Sequence, residues 1–200
     1  MKLEEKIEFV ITTLEDCLKI KQEMIEHYNY NATILKIVSI SSFIADALKK
    51  GHKIIVFGNG GSASDSQHFT AELVGKFMKN RKPLPAISLT TNTSILTAIA
   101  NDYSFEDIFS RQIEALANKG DVVIAISTSG LSENVLKAVE TAKKMKIATI
   151  GLTGANGGKL SLLADLCIKV PTVITPRIQE EHITVLHILC DLIEREMFDE

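Results

Sequence analysis

The chain has 200 residues, long enough for one domain with a sizeable hydrophobic core. Hydrophobic residues make up 46%, which excludes an extensively disordered chain, and a net charge of −3 offers no basic footprint for nucleic acid. The opening MKLEEKIEFV is too acidic for a signal peptide, and no apolar run reaches the length of a membrane span, so a cytoplasmic location is expected. The cysteines Cys17, Cys167 and Cys190 lack metal-ligand spacing and read as small buried apolar residues of a reducing compartment.

In chain order, Leu3, Ile7, Val10, Ile11, Leu14 and Leu18 recur at helical spacing, as do Ile34, Ile37, Val38, Ile44 and Leu48. Two helices are therefore expected over residues 1–50, broken near Tyr28–Asn31. They read as additions to a compact α/β unit, with their apolar stripe packed either on the parent domain or on a second subunit. Strand-like runs follow at Lys53–Phe57, Ala86–Leu89, Val122–Ile126, Ala148–Leu152 and Leu166–Val170. Helical segments are expected between most of them, near Ala63–Met78, Ser94–Ala100, Phe105–Asn118 and Glu133–Met145, and a last helix over roughly Arg177–Met197. The alternation predicts a single α/β domain with a central parallel sheet covered by helices on both faces. Residues 1–50 form its helical extension, 51–170 its core and 171–200 a C-terminal helix.

Two of the expected strands run into loops rich in glycine and hydroxyls. One is Gly58-Asn59-Gly60-Gly61-Ser62-Ala63-Ser64, and the other is Ser127-Thr128-Ser129-Gly130-Leu131-Ser132. Each is followed by a helical pattern. A helix N-terminus offers unpaired N–H groups and a partial positive charge, glycine allows close backbone approach, and hydroxyls add donors. The pair points to a pocket for a phosphorylated polar metabolite. Neither loop has the lysine of a G-x-x-x-x-G-K-[ST] loop or a G-x-G-x-x-G spacing, which argues against nucleoside triphosphates and dinucleotides.

Two clusters could carry chemistry. His68 and Glu72 stand at i and i+4 on the helix after the first loop, about 40° apart around its axis. That spacing suits two ligands of one metal or an acid–base pair, and equally a solvent-facing His/Glu pair. The second cluster is Arg177-Ile178-Gln179-Glu180-Glu181-His182 with His187. Gln179, Ile183 and His187 form one ridge, whereas His182 lies on another side and is expected in solvent. His187 reads either as a ligand or as a satisfied core histidine. Gln179 and His187 are roughly 12 Å apart along a continuous helix, so one metal can bind both only if their side chains converge or come from different subunits. Elsewhere, Asn101-Asp102 and Gly154–Gly158 read as turn and loop chemistry, Asp121 as a turn cap, and Lys79–Lys82 as a solvated helix end.

With these motifs in hand, the chain resembles the sugar-isomerase (SIS) domain family, and within it the phosphoheptose branch, along nearly its whole length. That branch carries a G-N-G-G-S loop, H-F-x-x-E, an N-D pair, an S-T-S-G-x-S loop and an R-I-Q-E-x-H-I-x-x-x-H helix. Here these are Gly58–Ser62, His68-Phe69 with Glu72, Asn101-Asp102, Ser127–Ser132, and Arg177 through His187. The resemblance implies a three-layer fold and substrate contacts at Asn59, Gly60, Gly61, Ser62, Glu72, Asn101, Asp102, Ser127, Thr128, Ser129, Ser132 and Gln179. It implies a zinc site at His68, Glu72, Gln179 and His187, with Glu72 and His187 as acid and base. It also implies a homotetramer with active sites at subunit interfaces. Taken with the apolar stripe of the N-terminal helices and the spacing of Gln179 and His187, this leads to the expectation that the Glu72 helix of one chain lies near the His187 helix of another. Two positions depart from the pattern: Leu131 stands where the family often has Asn, and Pro176 where some members have an acidic residue.

The activity implied is conversion of the ketose sedoheptulose 7-phosphate to the aldose D-glycero-D-manno-heptose 7-phosphate through an enediol(ate), supplying heptose for bacterial surface polysaccharide. Two other readings share the loops. One is a non-catalytic SIS protein that binds the replication initiator, in which the counterparts of Glu72 and His187 are missing. The other is a sugar-phosphate-sensing regulatory domain.

Overall fold

Five apolar runs pair side by side, all parallel: β1 (Ile54–Gly58), β2 (Ala86–Ser88), β3 (Val122–Ile126), β4 (Ala148–Thr153) and β5 (Leu166–Lys169). The computed structural model describes residues 2–26 and 32–199. The strand order is β2-β1-β3-β4-β5. Every residue of β1 and β3 is buried. A parallel strand covered on both faces reads as a continuous apolar run, which is why these two are so plain in the sequence.

Among the described residues, eight α-helices complete the layers: α1 (Leu3–Ile25), α2 (Ala32–Lys49), α3 (Gly61–Val74), α4 (Thr93–Asp102), α5 (Ser110–Leu116), α6 (Glu133–Lys144), α7 (Leu160–Leu163) and α8 (Thr175–Phe198). On one face of the sheet, Ile40 and Ile44 of α2, Phe69 and Leu73 of α3, and Val185, Leu186 and Leu189 of α8 pack on Ile54, Val56 and Ile124. On the other face, Ile113, Val135, Val139 and Leu160 pack on Ile55, Val123 and Ala125. There Phe57 of β1 stacks on Phe109 with ring centroids 5.0 Å apart.

The two N-terminal helices behave differently. Helix α2 belongs to the core rather than to an extension of it, because Ile37, Ile40, Ile44 and Leu48 are all buried. Helix α1 leaves Leu3, Ile7, Val10, Ile11, Leu14 and Leu18 exposed. It is tied to α8 by Lys21, whose Nζ lies 2.7 Å from the buried carboxylate of Glu181, and by Cys17 at Glu180 and Arg177. Cys17 is therefore half-buried among polar groups, whereas Cys167 and Cys190 are buried as expected. The expected break near Tyr28–Asn31 lies outside the described residues.

Three boundaries differ from expectation for local reasons. Helix α3 stops at Val74 rather than Met78, because Glu194 of α8 takes the N–H groups of Phe77, Met78 and Lys79. The segment 105–118 divides into a 3-10 turn, Phe105–Asp107, and α5. The short α7 answers no periodic pattern, being a single turn.

The order of strands reverses at β1: the chain passes to β2 on one side and then to β3 on the other. Ligands of open α/β sheets bind at the carboxyl ends of strands beside such a switch. The loops after β1 and β3 are the two glycine- and hydroxyl-rich loops, side by side.

Candidate active site

The first loop turns from β1 into α3 through Gly60, whose φ of +54° lies in the left-handed region that glycine adopts without strain. The loop is held by its neighbour: Asn59 and Asn134 exchange amide hydrogen bonds of 2.8 and 2.9 Å. Asn134 is buried in the first turn of α6, so this pair fastens the first loop to the helix that follows the second. Ser62 is buried in the first turn of α3.

The second loop is stiffened by its own hydroxyls. Ser127 Oγ lies 3.1 Å from Ser132 Oγ and accepts from the N–H of Gly130, while Ser129 Oγ accepts from the N–H of Leu131. The loop after β4 braces it from outside. The N–H of Gly154 donates to Thr128 O and that of Leu160 to Gly130 O. A Cβ on Gly130 would lie 2.1 Å from Gly157 O. Gly154–Gly158 is thus a backbone buttress, more than the plain loop expected. Thr128, Ser129 and Leu131 line a cleft of about 250 Å³ with Gly154, Thr175 and Ile178. Leu131 is an exposed wall of this cleft, and Pro176 sits in the first turn of α8, where its missing N–H costs no helical bond.

Helices α3 and α8 pack against each other, and the candidate chemical groups meet between them. His68 Nε2 lies 3.0 Å from Glu72 Oε1 and 3.2 Å from His187 Nε2. One ligand atom from each of the three residues falls within 4.8 Å of the others. All three come from one chain, so the α3 and α8 side chains converge without a second subunit. Protons cannot satisfy this cluster fully. A neutral imidazole has one N–H, so His68 Nε2 can donate to Glu72 or accept from His187, but not both. A cation would accept all three lone pairs, and two imidazoles with one carboxylate suit a divalent metal such as zinc. Gln179 reaches the first loop: its Nε2 would be 2.3 Å from a Cβ on Gly61.

Asn101 and Asp102 end α4 at the surface, where Asn101 Nδ2 donates to Asp102 Oδ1 at 2.8 Å. Among the described residues they make no hydrogen bond to either loop. Helix α4 nonetheless closes a second cleft over the first loop, lined by Asn59, Gly60, Thr90, Thr97 and Ala100.

Several residues around the site go beyond the sequence reading. Asp65, one turn before His68, has a buried Oδ2 without a hydrogen-bond partner. Burial raises its pKa to about 6, against the opposing pull of His68. His182 is buried rather than solvated, and neither ring nitrogen makes a hydrogen bond of good geometry. Burial lowers its pKa to about 4, with the backbone of Thr153 opposing. Arg81, expected at a solvated helix end, is buried against Glu194 at 2.9 Å. Its partner Glu194 lies in the buried stripe of α8 among Leu189, Cys190 and Ile193.

The parallel sheet, the paired loops at its switch and the His/Glu cluster define a sugar-isomerase type of α/β domain. The SIS domain family model matches residues 22–154, and the chain belongs to that family. Within it the chain belongs with the phosphoheptose isomerases. A phosphoheptose isomerase of Geotalea daltonii is 59% identical over 165 residues, 82% of this chain and 86% of that protein. Solved phosphoheptose isomerases show the same architecture. That of Francisella tularensis has a TM-score of 0.89 at 37% identity, over 98% of this chain and 100% of that one. That of Neisseria gonorrhoeae has 0.86 at 40%, over 96% and 99%. No helix among the described residues is long and apolar enough to cross a membrane.

Proposed function

We propose that this isomerase converts sedoheptulose 7-phosphate to D-glycero-D-manno-heptose 7-phosphate, with Glu72 and His187 as its acid–base pair. The observation that carries the assignment is the convergence of His68, Glu72 and His187 in one chain, beside two anion-binding loops. The reaction moves a hydrogen between neighbouring carbons and needs no oxidant. A base takes a proton from C1 of the ketose, and the C2 carbonyl becomes an enediolate oxygen. A proton is then returned to C2, and the hydroxyl proton passes from O1 to O2, leaving the aldose. Glu72 is suited to the carbon-bound proton and His187 to the protons on oxygen.

The Ser/Thr loop supports phosphate binding. Ser127, Thr128, Ser129 and Ser132 bring hydroxyls to the N-terminus of α6, and binding there positions the far end of the sugar. Asn59, Gly60, Gly61, Ser62, Asn101, Asp102 and Gln179 complete the proposed substrate contacts. His68, Glu72 and His187 are proposed zinc ligands, with Gln179 as the fourth. When bound, the ion would supply positive charge near oxygens that become negative.

The exposed apolar face of α1 supports a homotetramer, and the absence of a basic footprint supports a partner set without nucleic acid. A cytoplasmic role in making heptose for lipopolysaccharide core or capsule fits this activity. The replication-initiator-binding and sugar-sensing readings are not favoured, because Glu72 and His187 are both present and the similar relatives are isomerases. Incubating the purified protein with sedoheptulose 7-phosphate and resolving the sugar phosphates tests the proposal. Formation of the aldose, abolished in Glu72→Gln, is expected; no aldose from folded protein supplied with zinc overturns it.

A further inference from the structure

The C-terminus of α3 and the C-terminal half of α8 are joined by a buried ion pair between Arg81 and Glu194. Glu194 is fully buried and accepts hydrogen bonds from the N–H groups of Phe77, Met78 and Lys79, at 3.0, 2.9 and 2.9 Å. It also accepts from Arg81 Nε at 2.9 Å. The other end of the Arg81 guanidinium donates to the last carbonyls of α3: Nη1 to Leu73 O at 2.7 Å and Nη2 to Glu72 O at 2.8 Å. A helix C-terminus needs such donors, but here they are fixed by a carboxylate of a second helix. Glu194 follows His187 by two turns of α8, and so sits on the same face. The segment it holds carries Phe77, whose ring lies on the His187 imidazole, with centroids 5.5 Å apart and planes inclined by 31°.

We propose that Arg81, Glu194 and Phe77 are positioning residues of the isomerase: the ion pair locks the Glu72 turn of α3 to α8, and Phe77 fixes the plane of the His187 ring. The inference rests on the reading of Glu72 and His187 as the acid–base pair. A buried ion pair contributes little net stability compared with apolar residues of the same volume, but it specifies one arrangement. Here the specified arrangement includes the carbonyl of Glu72 and the ring face of His187. Proton transfer depends steeply on such geometry, and a misplacement of about 1 Å can cost a hundredfold in rate.

The test compares Phe77→Leu, Phe77→Tyr, Arg81→Lys and Glu194→Gln with the parent protein, each verified as folded by circular dichroism and thermal unfolding. Phe77→Leu keeps an apolar side chain but loses the flat ring, and Arg81→Lys keeps the charge but loses the fork. For both, kcat should fall by about 10- to 100-fold while KM for the sugar phosphate stays within about threefold. Phe77→Tyr should restore kcat to within about threefold of the parent. Should Glu194→Gln fail to fold, the Phe77 pair still decides the matter. Glu72→Gln and His187→Ala are measured alongside. If those two retain turnover, the acid–base reading fails and this inference with it. If they are inactive while folded Phe77→Leu and Arg81→Lys turn over normally, or change in KM as much as in kcat, the positioning role alone is overturned.

Discussion

His187 Nε2 lies 3.2 Å from His68 Nε2 although 119 positions separate them in the chain. The two rings meet edge to face, with centroids 4.9 Å apart, and Glu72 reaches the same His68 nitrogen. Such crowding of lone pairs is the arrangement a divalent cation resolves. Protein purified without chelator is expected to carry about one zinc-class ion per chain. His68→Ala should weaken metal binding by at least about tenfold, read by elemental analysis and competition with a chromogenic chelator. Full metal content in folded His68→Ala would place the ion elsewhere.

Because Glu72 and His187 meet within one chain, subunit mixing has a definite expected outcome. Glu72→Gln and His187→Ala chains should each lose about 10²–10⁴-fold in turnover. Hybrid assemblies of the two, refolded together and verified by mass, should remain inactive, since every cluster then lacks one member. Recovery of a statistical fraction of activity in the hybrids would show that the working pairs cross a subunit boundary.

The brace behind the phosphate loop is also testable. Gly130 has a φ of +66°, and any Cβ there collides with the backbone of Gly157. Gly130→Ala must therefore shift either Ser127–Ser132 or the loop after β4, at a cost of about 1–3 kcal/mol. The loop would hold the phosphate equally well in ground and transition states, so KM should rise by about tenfold or more with a smaller change in kcat. A fall in melting temperature should accompany it. Unchanged KM in the folded variant would remove the second loop from phosphate binding.

The sheet is legible in the sequence because its central strands are buried on both faces, so Ile54–Phe57 and Val122–Ile126 stand out as unbroken apolar runs. The loops are legible because glycine and hydroxyl residues follow those runs directly. What hides from the sequence is burial of polar groups that a tertiary partner satisfies. Arg81 lies in a stretch that reads as solvated charge, and only the approach of Glu194 from α8 makes its burial tolerable. Asn134 looks like any first-turn polar residue until Asn59 comes to face it. The convergence of His68 and His187 depends on the packing of α3 on α8, which periodicity along either helix cannot report. His182 misleads for the opposite reason: helical phase alone places it away from the Gln179 ridge, but the end of β4 covers that side too.

His182 links this packing to pH. Its imidazole is fully buried, and burial lowers its pKa from 6.5 to about 4. The unfolded chain therefore binds a proton at this residue between pH 6.5 and about 4, while the folded chain does not. Stability from the neutral buried ring is complete above pH 6.5, declines as pH falls through that window, and is lost below about 4. The shift corresponds to a loss on the order of 3 kcal/mol. His182→Leu keeps an apolar side chain there and removes the titration. Urea unfolding of both proteins at pH 7 and pH 4 isolates the effect, because every other ionisable residue is common to the two. The stability difference between parent and variant should shift by on the order of 3 kcal/mol toward the variant as the pH is lowered. Parallel pH dependence in the two proteins would show that His182 is protonated, or paired, in the folded state.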